Sequence, residues 1–164
     1  MLKATEGIII SEVNYGEKSK IINVLTKDGI IGVMCKGAKS LKSPLRASTM
    51  KFNLSSFLLY YHDNGLSTLK ECDVICDYKT IKSDILLISY MSYICDLAQG
   101  VMRQNENEDI YNLLISTLNK IESGLEPAVL TNIFEVKMLD YLGVGFSLDA
   151  CAKCGNTKDI ITID

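Results

Sequence analysis

The hydrophobic period of this chain changes near residue 80, and no other feature constrains its fold as strongly. Up to residue 75 the apolar residues form β-branched or alternating runs bounded by polar turns, which is typical of short strands. From residue 81 they recur at three- and four-residue spacing, which indicates amphipathic helices. The sequence therefore predicts an α+β chain in which strands come first and helices follow.

The first part of the chain contains five such runs with no helical pattern between them. They are residues 7–13, 19–26, 30–35, 51–61 and 66–75. The turn signal KDG at 27–29 predicts a hairpin between the second and third runs. Five short strands within about 75 residues suggest a small, bent antiparallel barrel, and the OB-fold is the five-stranded version.

The fourth run is apolar at both alternating sets of positions, which predicts a strand buried on both faces. One set is Phe52, Leu54, Leu58 and Tyr60, and the other is Phe57, Leu59 and Tyr61.

Three helices are predicted after residue 80. The first is long, the second follows the acidic NENED and ends at Gly124, and the third begins at Pro127 and ends before Gly143. Their predicted inward residues are Ile81, Ile85, Ile88, Met91, Ile94, Cys95, Ala98, Val101 and Met102; then Ile110, Leu113, Leu114, Thr117, Leu118 and Ile121; then Leu130, Phe134, Met138, Tyr141 and Leu142. We expect an OB-fold domain at 1–80, a helical domain at 81–148 and an incomplete zinc-ribbon segment at 149–164.

Nothing in the composition indicates a membrane or secreted protein. The longest apolar runs, such as ILLI at 85–88, are far shorter than the roughly 20 residues that span a bilayer, and no signal-peptide pattern opens the chain. The six cysteines lack the dense, even spacing of a secreted disulfide framework. We expect a cytoplasmic protein with reduced thiols.

Charge is distributed unevenly along the chain. The whole chain has a formal net charge of -3, yet residues 1–80 hold 11 Lys and Arg against 8 Asp and Glu. Residues 81–164 hold 6 against 12, so the helical part is acidic. The two parts are therefore expected to meet different partners.

A basic segment at residues 36–51, KGAKSLKSPLRASTMK, is the strongest candidate for a binding site. It lies in a stretch that carries no acid between Asp28 and Asp63. Its cations are Lys36, Lys39, Lys42, Arg46 and Lys51. Such a loop attracts a polyanion because each neutralised phosphate releases condensed counterions. A solvated surface loop is the simpler alternative, and aromatic residues for base stacking are sparse, with Phe52, Tyr15 and Tyr60 the nearest candidates.

A second motif, CAKCG at 151–155, has the spacing of half a zinc knuckle, since a tetrahedral site needs four ligands. Cys151 and Cys154 are the candidate ligands, and DIITID at 159–164 resembles the first strand of a ribbon. Two alternatives remain for the CxxC pair, namely a structural loop without metal and a thiol redox pair.

Signatures of catalysis are otherwise missing. The sequence has no GxxxxGK[ST] phosphate loop, and its single His62 stands beside a DNG turn without an HExxH neighbour. LGVGF at 142–146 lacks the third glycine of a dinucleotide loop and is better explained as a helix end. We expect a protein that is not an enzyme.

Two motifs near opposite ends of the chain resemble those of the bacterial recombination mediator RecO family. EGIIISEVNYGEKSKIINVLTKDGIIGVMCKGAKS at 6–40 resembles that family's EG, then YGE, then an apolar strand ending in Thr, then Gly and a KGA-type basic turn. MLDYLGVGFSLDACAKCG at 138–155 resembles the family's approach to its zinc ribbon. Phe146 stands where the family usually has Pro, and the second cysteine pair does not follow, so we expect an N-terminal fragment.

The resemblance implies an N-terminal OB-fold, a helical domain and, in the full-length protein, a zinc element with four cysteine ligands. It also implies binding of single- and double-stranded DNA, strand annealing, help in loading a recombinase, and partnership with RecR and with the tail of single-stranded-DNA-binding protein. Carried over by position, the primary phosphate contacts are Lys36, Lys39, Lys42 and Arg46. Lys20 and Lys27 form a second tier, and Lys51 is a further candidate contact. A non-catalytic interaction scaffold that does not bind DNA is the alternative function.

Overall fold

The computed structural model describes residues 1–63, 65–147, 149–151 and 153–158 and contains five strands and five helices within them. The strands are β1 Leu2–Tyr15, β2 Ser19–Thr26, β3 Gly29–Cys35, β4 Leu54–Tyr60 and β5 Ser67–Cys76. The helices are α1 Leu45–Ser48, between β3 and β4, and then α2 Lys79–Lys82, α3 Ile85–Met102, α4 Glu108–Glu122 and α5 Pro127–Tyr141.

The strands close into a barrel in the order β1-β2-β3-β5-β4, with β4 returning to β1. All neighbours are antiparallel except β3 and β5, which run parallel. A closed five-stranded barrel followed by helices confirms the predicted OB-fold and helical architecture.

β1 is long because it serves two neighbours. Its first half pairs with β4 from Leu2 to Ile8, and its second half pairs with β2, with a register shift between Ile9 and Ser11. Where the two pairings meet, a Cβ on Gly7 would lie 2.5 Å from Cγ1 of Val24 and 2.7 Å from the carbonyl oxygen of Leu25. Glycine is therefore required at this crossing.

Two apolar clusters lie on opposite sides of the β1 strand. Ile9 points into the barrel, and Ile8 and Ile10 point into a second cluster shared with the helices. The barrel cluster contains Ile9, Ile22, Val24, Val33, Cys35, Ala38, Phe57, Leu59 and Leu69. The continuous apolar run GIII in β1 follows from this burial on both faces.

The junction between barrel and helices is fixed by polar contacts to α4. The Tyr78 hydroxyl donates to Oδ1 of Asn119 at 3.1 Å, and the Glu122 carboxylate accepts from the amides of Thr80 and Ile81 at 2.9 and 3.0 Å. The second apolar cluster runs without a break from the barrel through Tyr78 into the helices. The domain limits 1–80, 81–148 and 149–164 stay predictions.

The helices α4 and α5 begin where their first residues favour a helix start. Asn107 accepts from the amide of Asp109 at 2.8 Å, acidic residues fill the first turn of α4 as predicted, and Pro127 occupies the first turn of α5.

The long helix predicted from residue 81 is instead split into α2 and α3. The Asp84 carboxylate accepts from the amides of Leu86 and Leu87 and so starts a new helix. Ile85, predicted to face inward, is therefore in the first turn of α3 and is 85% exposed. Leu142, also predicted inward, follows the end of α5 and is exposed.

The fourth strand is shorter than predicted, and its burial differs from the prediction at the Tyr60 end only. Phe52 precedes it with a φ of +68° and packs against the helices. Tyr60 is exposed, because the helices cover only the Leu54 end of the outer face of β4.

One described helix, α3, has the length and composition of a membrane span, with 18 residues and a mean hydropathy of 1.4. Length and composition are weak evidence here, because the core helix of a globular fold has the same properties. Six of its residues are buried in the cluster shared with α4, α5 and the barrel.

Substitution of two isoleucines of α3, one buried and one exposed, tests this packing. Ile94 is fully buried and Ile85 is exposed, so Ile94→Ala is expected to lower the free energy of unfolding by about 2–5 kcal/mol, with Ile85→Ala close to wild type. Urea denaturation followed by circular dichroism measures both. Equal losses for the two variants would contradict the described orientation of α3.

Candidate nucleic-acid interface

The basic segment, residues 36–51, connects β3 to β4 and is folded as successive turns that lead into α1. The amide of Ser40 donates to the carbonyl of Gly37 at 3.1 Å, that of Ser43 to Ser40 at 3.0 Å, and that of Arg46 to Ser43 at 3.2 Å. Gly37 has a φ of +71°, a conformation that glycine adopts without strain. Main-chain bonds therefore give the segment its shape, and the side chains of Lys36, Lys42 and Arg46 remain exposed.

The segment is docked on the turn between β1 and β2. The amide of Lys39 donates to the carbonyl of Lys18 at 3.0 Å, and the Lys39 ammonium donates to the carbonyl of Gly16 at 3.4 Å. The amide of Gly37 donates to Oγ of Ser19 at 3.3 Å. This contact brings Lys18, which is exposed, beside the basic segment. Sequence reasoning missed Lys18 because only the strand order shows that this turn and this segment share one end of the barrel.

A groove of about 320 Å³ lies between the basic segment and the ends of β1 and β2 beside their shared turn, on the face of β2 that carries Ile22 and Val24 into the barrel. It brings together three of the predicted cations, Lys20, Lys39 and Arg46. The remaining lining residues are Glu12, Asn14, Ala38 and Met50. Cations from two separate parts of the chain thus face one concave surface, which suits an extended anionic ligand.

Lys20 is less available to an anionic ligand than the other cations are. It is 8% exposed, and its ammonium forms an ion pair with Glu12 at 2.7 Å. Such a pair satisfies the charge of a partly desolvated lysine. A phosphate would have to share Lys20 with Glu12 or displace that carboxylate.

The other predicted cations lie outside the groove. Lys36 and Lys42 are exposed along the basic segment, and the Lys51 ammonium lies 4.5 Å from the centroid of the Phe52 ring. Lys27 lies at the opposite end of β2, about 23 Å from Lys20 at about 3.3 Å per residue. Lys27 is therefore not brought together with the basic segment, and its role stays a prediction.

The three aromatic candidates for base stacking lie in different parts of the structure. Phe52 is buried among the helices, and Tyr60 pairs with Leu2 near the other end of β1. Tyr15 is exposed at the end of β1 that carries Glu12 and Asn14. Of the three candidates, Tyr15 is the one at the same end of the barrel as the groove, although it follows Asn14 directly in the strand and does not line the groove.

The cysteine pair of the CxxC motif forms a tight turn. The amide of Gly155 donates to the carbonyl of Cys151 at 2.7 Å, and the amide of Cys151 donates to the carbonyl of Asn156 at 2.8 Å. Cys151 is buried and Cys154 is exposed. The predicted ribbon strand at 159–164 lies outside the described residues.

These two cysteines do not by themselves fit a zinc ion. Within the described part of the chain, no three His, Cys, Asp or Glu side chains come together as a metal site. A tetrahedral zinc site takes four ligands, so Cys151 and Cys154 supply half of one.

Two other cysteines lie in the two apolar clusters. Burial raises the pKa of the Cys35 thiol from 9.0 to about 12, although the nearby Lys20 ammonium acts in the opposite direction. Burial likewise raises the pKa of Cys95 to about 12, with the Asp96 carboxylate adding to the effect. Both thiols are therefore structural and unreactive near neutral pH.

Comparison with known proteins identifies both parts of the chain. Residues 1–78 match the family model described as recombination protein O N terminal, and residues 82–163 match the one described as recombination protein O C terminal. The DNA repair protein RecO of Listeria monocytogenes serotype 4b is 37% identical over 158 residues, which are 95% of this chain and 62% of that protein.

Two further relatives agree with this. The proteins of the same name from Halalkalibacterium halodurans and Exiguobacterium sibiricum are 36% and 33% identical and align with 96% of this chain. The chain spans 62% and 64% of their respective lengths.

Thiol labelling tests the burial of the cysteines. At pH 8, iodoacetamide is expected to alkylate the exposed Cys154 readily and to leave Cys35 and Cys95 unmodified until the protein unfolds. A pKa raised from 9.0 to about 12 lowers the thiolate fraction about a thousandfold at this pH. Mass spectrometry of the labelled peptides gives the rates, and Cys154→Ser removes the fast product. Rapid labelling of Cys35 or Cys95 in the folded protein would contradict their placement.

Proposed function

The chain belongs to the RecO family, and from that premise we propose that it binds DNA through the basic segment as part of a recombination mediator in DNA repair. One observation carries the proposal: hydrogen bonds of Gly37 and Lys39 hold the basic segment against the β1–β2 turn of an OB-fold barrel. OB-folds bind oligonucleotides through their loops and the face beside them.

The charge arrangement favours contact with phosphates rather than with base edges. Lys36, Lys39, Lys42 and Arg46 supply the primary contacts, with Lys51 beside them and Lys20 and Lys27 in a second tier. Contacts of this kind fix the position of a nucleic acid without reading its sequence. They are compatible with both single- and double-stranded DNA, since both present the same phosphates.

Strand annealing follows from such a binding mode. Phosphates held along the basic segment leave the bases of a single strand outward, where an incoming complementary strand can pair with them. The step needs no catalytic group, and we propose that the chain acts without enzymatic activity. Assistance in loading a recombinase onto protein-coated single-stranded DNA belongs to the same role.

The partners and the location are proposed on the family alone. The curated relatives are DNA repair proteins by name, and a cytoplasmic protein that meets RecR and the tail of single-stranded-DNA-binding protein is consistent with that role. Because the helical part is acidic, it is better suited than the barrel to bind proteins, and less suited to bind DNA. In this proposal, zinc binding is an expectation from the family resemblance, with Cys151 and Cys154 as two of the four ligands that a zinc site takes.

A protein-interaction scaffold is the second candidate, and the outer face of α5 favours it. Val129, Ile133 and Val136 are about half exposed at helical spacing. Ile133 and Val136 line a shallow groove of about 430 Å³ together with Asn132, Lys137 and Asp140. An apolar helix face of this kind is typical of a protein contact.

Removal of the primary cations tests DNA binding directly. In fluorescence anisotropy with a labelled single-stranded oligonucleotide, we expect wild-type affinity to fall log-linearly with salt. Changing Lys36, Lys39, Lys42 and Arg46 together to Ala is expected to reduce the slope by about 0.7 for each phosphate that the variant no longer neutralises.

The matched control changes the same number of exposed cations in the helical part and beyond it. Arg103, Lys120, Lys137 and Lys158 are all exposed, and their replacement by Ala gives the same net charge. Equal losses in the two variants would mean that net charge, not the basic segment, governs binding. Absence of binding by the wild-type chain at low salt would favour the scaffold.

The carboxylate in the groove provides a variant expected to improve binding. Glu12→Gln removes the charge that occupies Lys20, so oligonucleotide affinity should rise severalfold, with a steeper dependence on salt. Glu17→Gln, in the exposed β1–β2 turn, is the control for a simple change in net charge. Equal effects of the two changes, or no gain from Glu12→Gln, would show that Lys20 takes no part.

A further inference from the structure

Asn53 is a buried polar residue at the point where the basic segment enters β4. It is 3% exposed, and it adjoins the barrel, α1 and α2. Buried asparagines need partners for every polar group, because an unsatisfied group costs about 1–3 kcal/mol. Its partners therefore show what the residue holds in place.

The main chain of Asn53 is bonded to β1 and to the basic segment. Its carbonyl accepts from the amide of Ile9 at 3.0 Å, and its own amide donates to the carbonyl of Met50 at 3.2 Å. Next to it, the amide of Phe52 donates to the carbonyl of Ile9 at 2.7 Å. This end of the segment is thus joined to β1 at the place where that strand changes partners.

The side-chain amide group of Asn53 holds α1. Nδ2 donates to the carbonyls of Ala47 and Ser48 at 3.0 and 3.2 Å, which are the last carbonyls of that helix. α1 has four residues, and one turn of helix is not stable alone, because isolated helices need roughly 12–15 residues. Arg46, a primary cation of the proposed site, is carried by α1.

The side-chain oxygen of Asn53 faces the helical part of the chain. Oδ1 accepts from the Lys82 ammonium at 2.5 Å. Lys82 is the last residue of α2, and burial lowers the pKa of its ammonium, so this acceptor compensates a partly desolvated charge. The orientation of the amide is determined by these contacts, since a flipped amide would face two carbonyls with its oxygen and an ammonium with its NH₂ group.

We propose that Asn53 is a positioning residue of the nucleic-acid site, which fixes α1 and its Arg46 to the barrel and, through Lys82, to the helical part. The inference rests on the proposed function and adds to it that the basic segment depends on the helices for its placement. Asn53 does not contact the ligand itself; it acts through α1.

Two single changes separate the two halves of this contact. Asn53→Asp keeps an acceptor for Lys82 but places an oxygen against the carbonyls of Ala47 and Ser48, so α1 loses its anchor. Lys82→Met keeps the α1 contacts and removes the link to α2, while Lys82→Arg retains a cationic donor. Lys79→Met is the matched control, since Lys79 lies in the same helix and is well exposed.

The full chain is measured in the oligonucleotide anisotropy assay across a salt series. Asn53→Asp is expected to lower affinity about tenfold at low salt and to reduce the salt slope by about 0.7, as the removal of one ordered phosphate contact would. Lys82→Met should show a smaller loss that Lys82→Arg restores, and Lys79→Met should match wild type. A purely structural role would lower the melting temperature and leave the salt slope unchanged, which would overturn the proposal.

Hydrogen exchange without DNA provides a readout that does not depend on binding. Asn53→Asp should speed exchange at the amides of Thr49 and Met50, which bond to carbonyls of α1, and leave the amides of α4 unchanged. If wild type fails to bind the oligonucleotide, the proposed function fails, and the exchange data still decide whether Asn53 orders the segment. Unchanged exchange at Thr49 and Met50 would refute the positioning role even if wild type binds.

Discussion

Burial of β1 on both faces is the constraint on which the rest of the structure depends. Ile9 belongs to the barrel cluster, and Ile8 and Ile10 belong to the cluster shared with the helices. A strand that is apolar on both sides needs a second layer, and α3 and α4 provide it. The barrel and the helices are therefore packed directly on each other, and the polar contacts of Tyr78 and Glu122 fix a junction that apolar burial has already brought together.

The end of the barrel that carries the basic segment shows how an acidic chain can keep cations available to an anionic ligand. Its basic segment is ordered by main-chain bonds and by the Asn53 amide, so Lys36, Lys42 and Arg46 are not used in ion pairs with acidic side chains of the described residues. Lys20 differs, because it is nearly buried and its charge needs Glu12. Exposed ion pairs contribute little to stability, so the segment loses little by leaving its cations unpaired.

The sequence predicted what periodicity and turn chemistry determine locally. The strand at 19–26 was predicted with its observed limits, the start of α5 followed from Pro127, and the acids of NENED lie in the first turn of α4 as expected. Periodicity alone could not show that Asp84 caps a separate helix, which exposes Ile85. Contacts between distant segments could not be predicted from the sequence either. Lys18 lies beside the basic segment because of the strand order, and Glu12 binds Lys20 across a strand pair. Asn53 stands within an apolar run, where no pattern indicates the role of its side chain.

The parallel pairing of β3 with β5 has a consequence for how the chain folds. β1, β2 and β3 can form from neighbouring residues, and β4 with β5 can do the same, because short turns connect them. These two pieces then meet along β1 and β4 and along a seam of two residue pairs, Val33 with Ser67 and Met34 with Thr68. The basic segment is the tether between the pieces: its Gly37 and Lys39 bond to the β1–β2 turn within the first piece, and its other end leads into β4 in the second. This seam has fewer paired residues than any other strand pair of the barrel, so we expect the barrel to open there first.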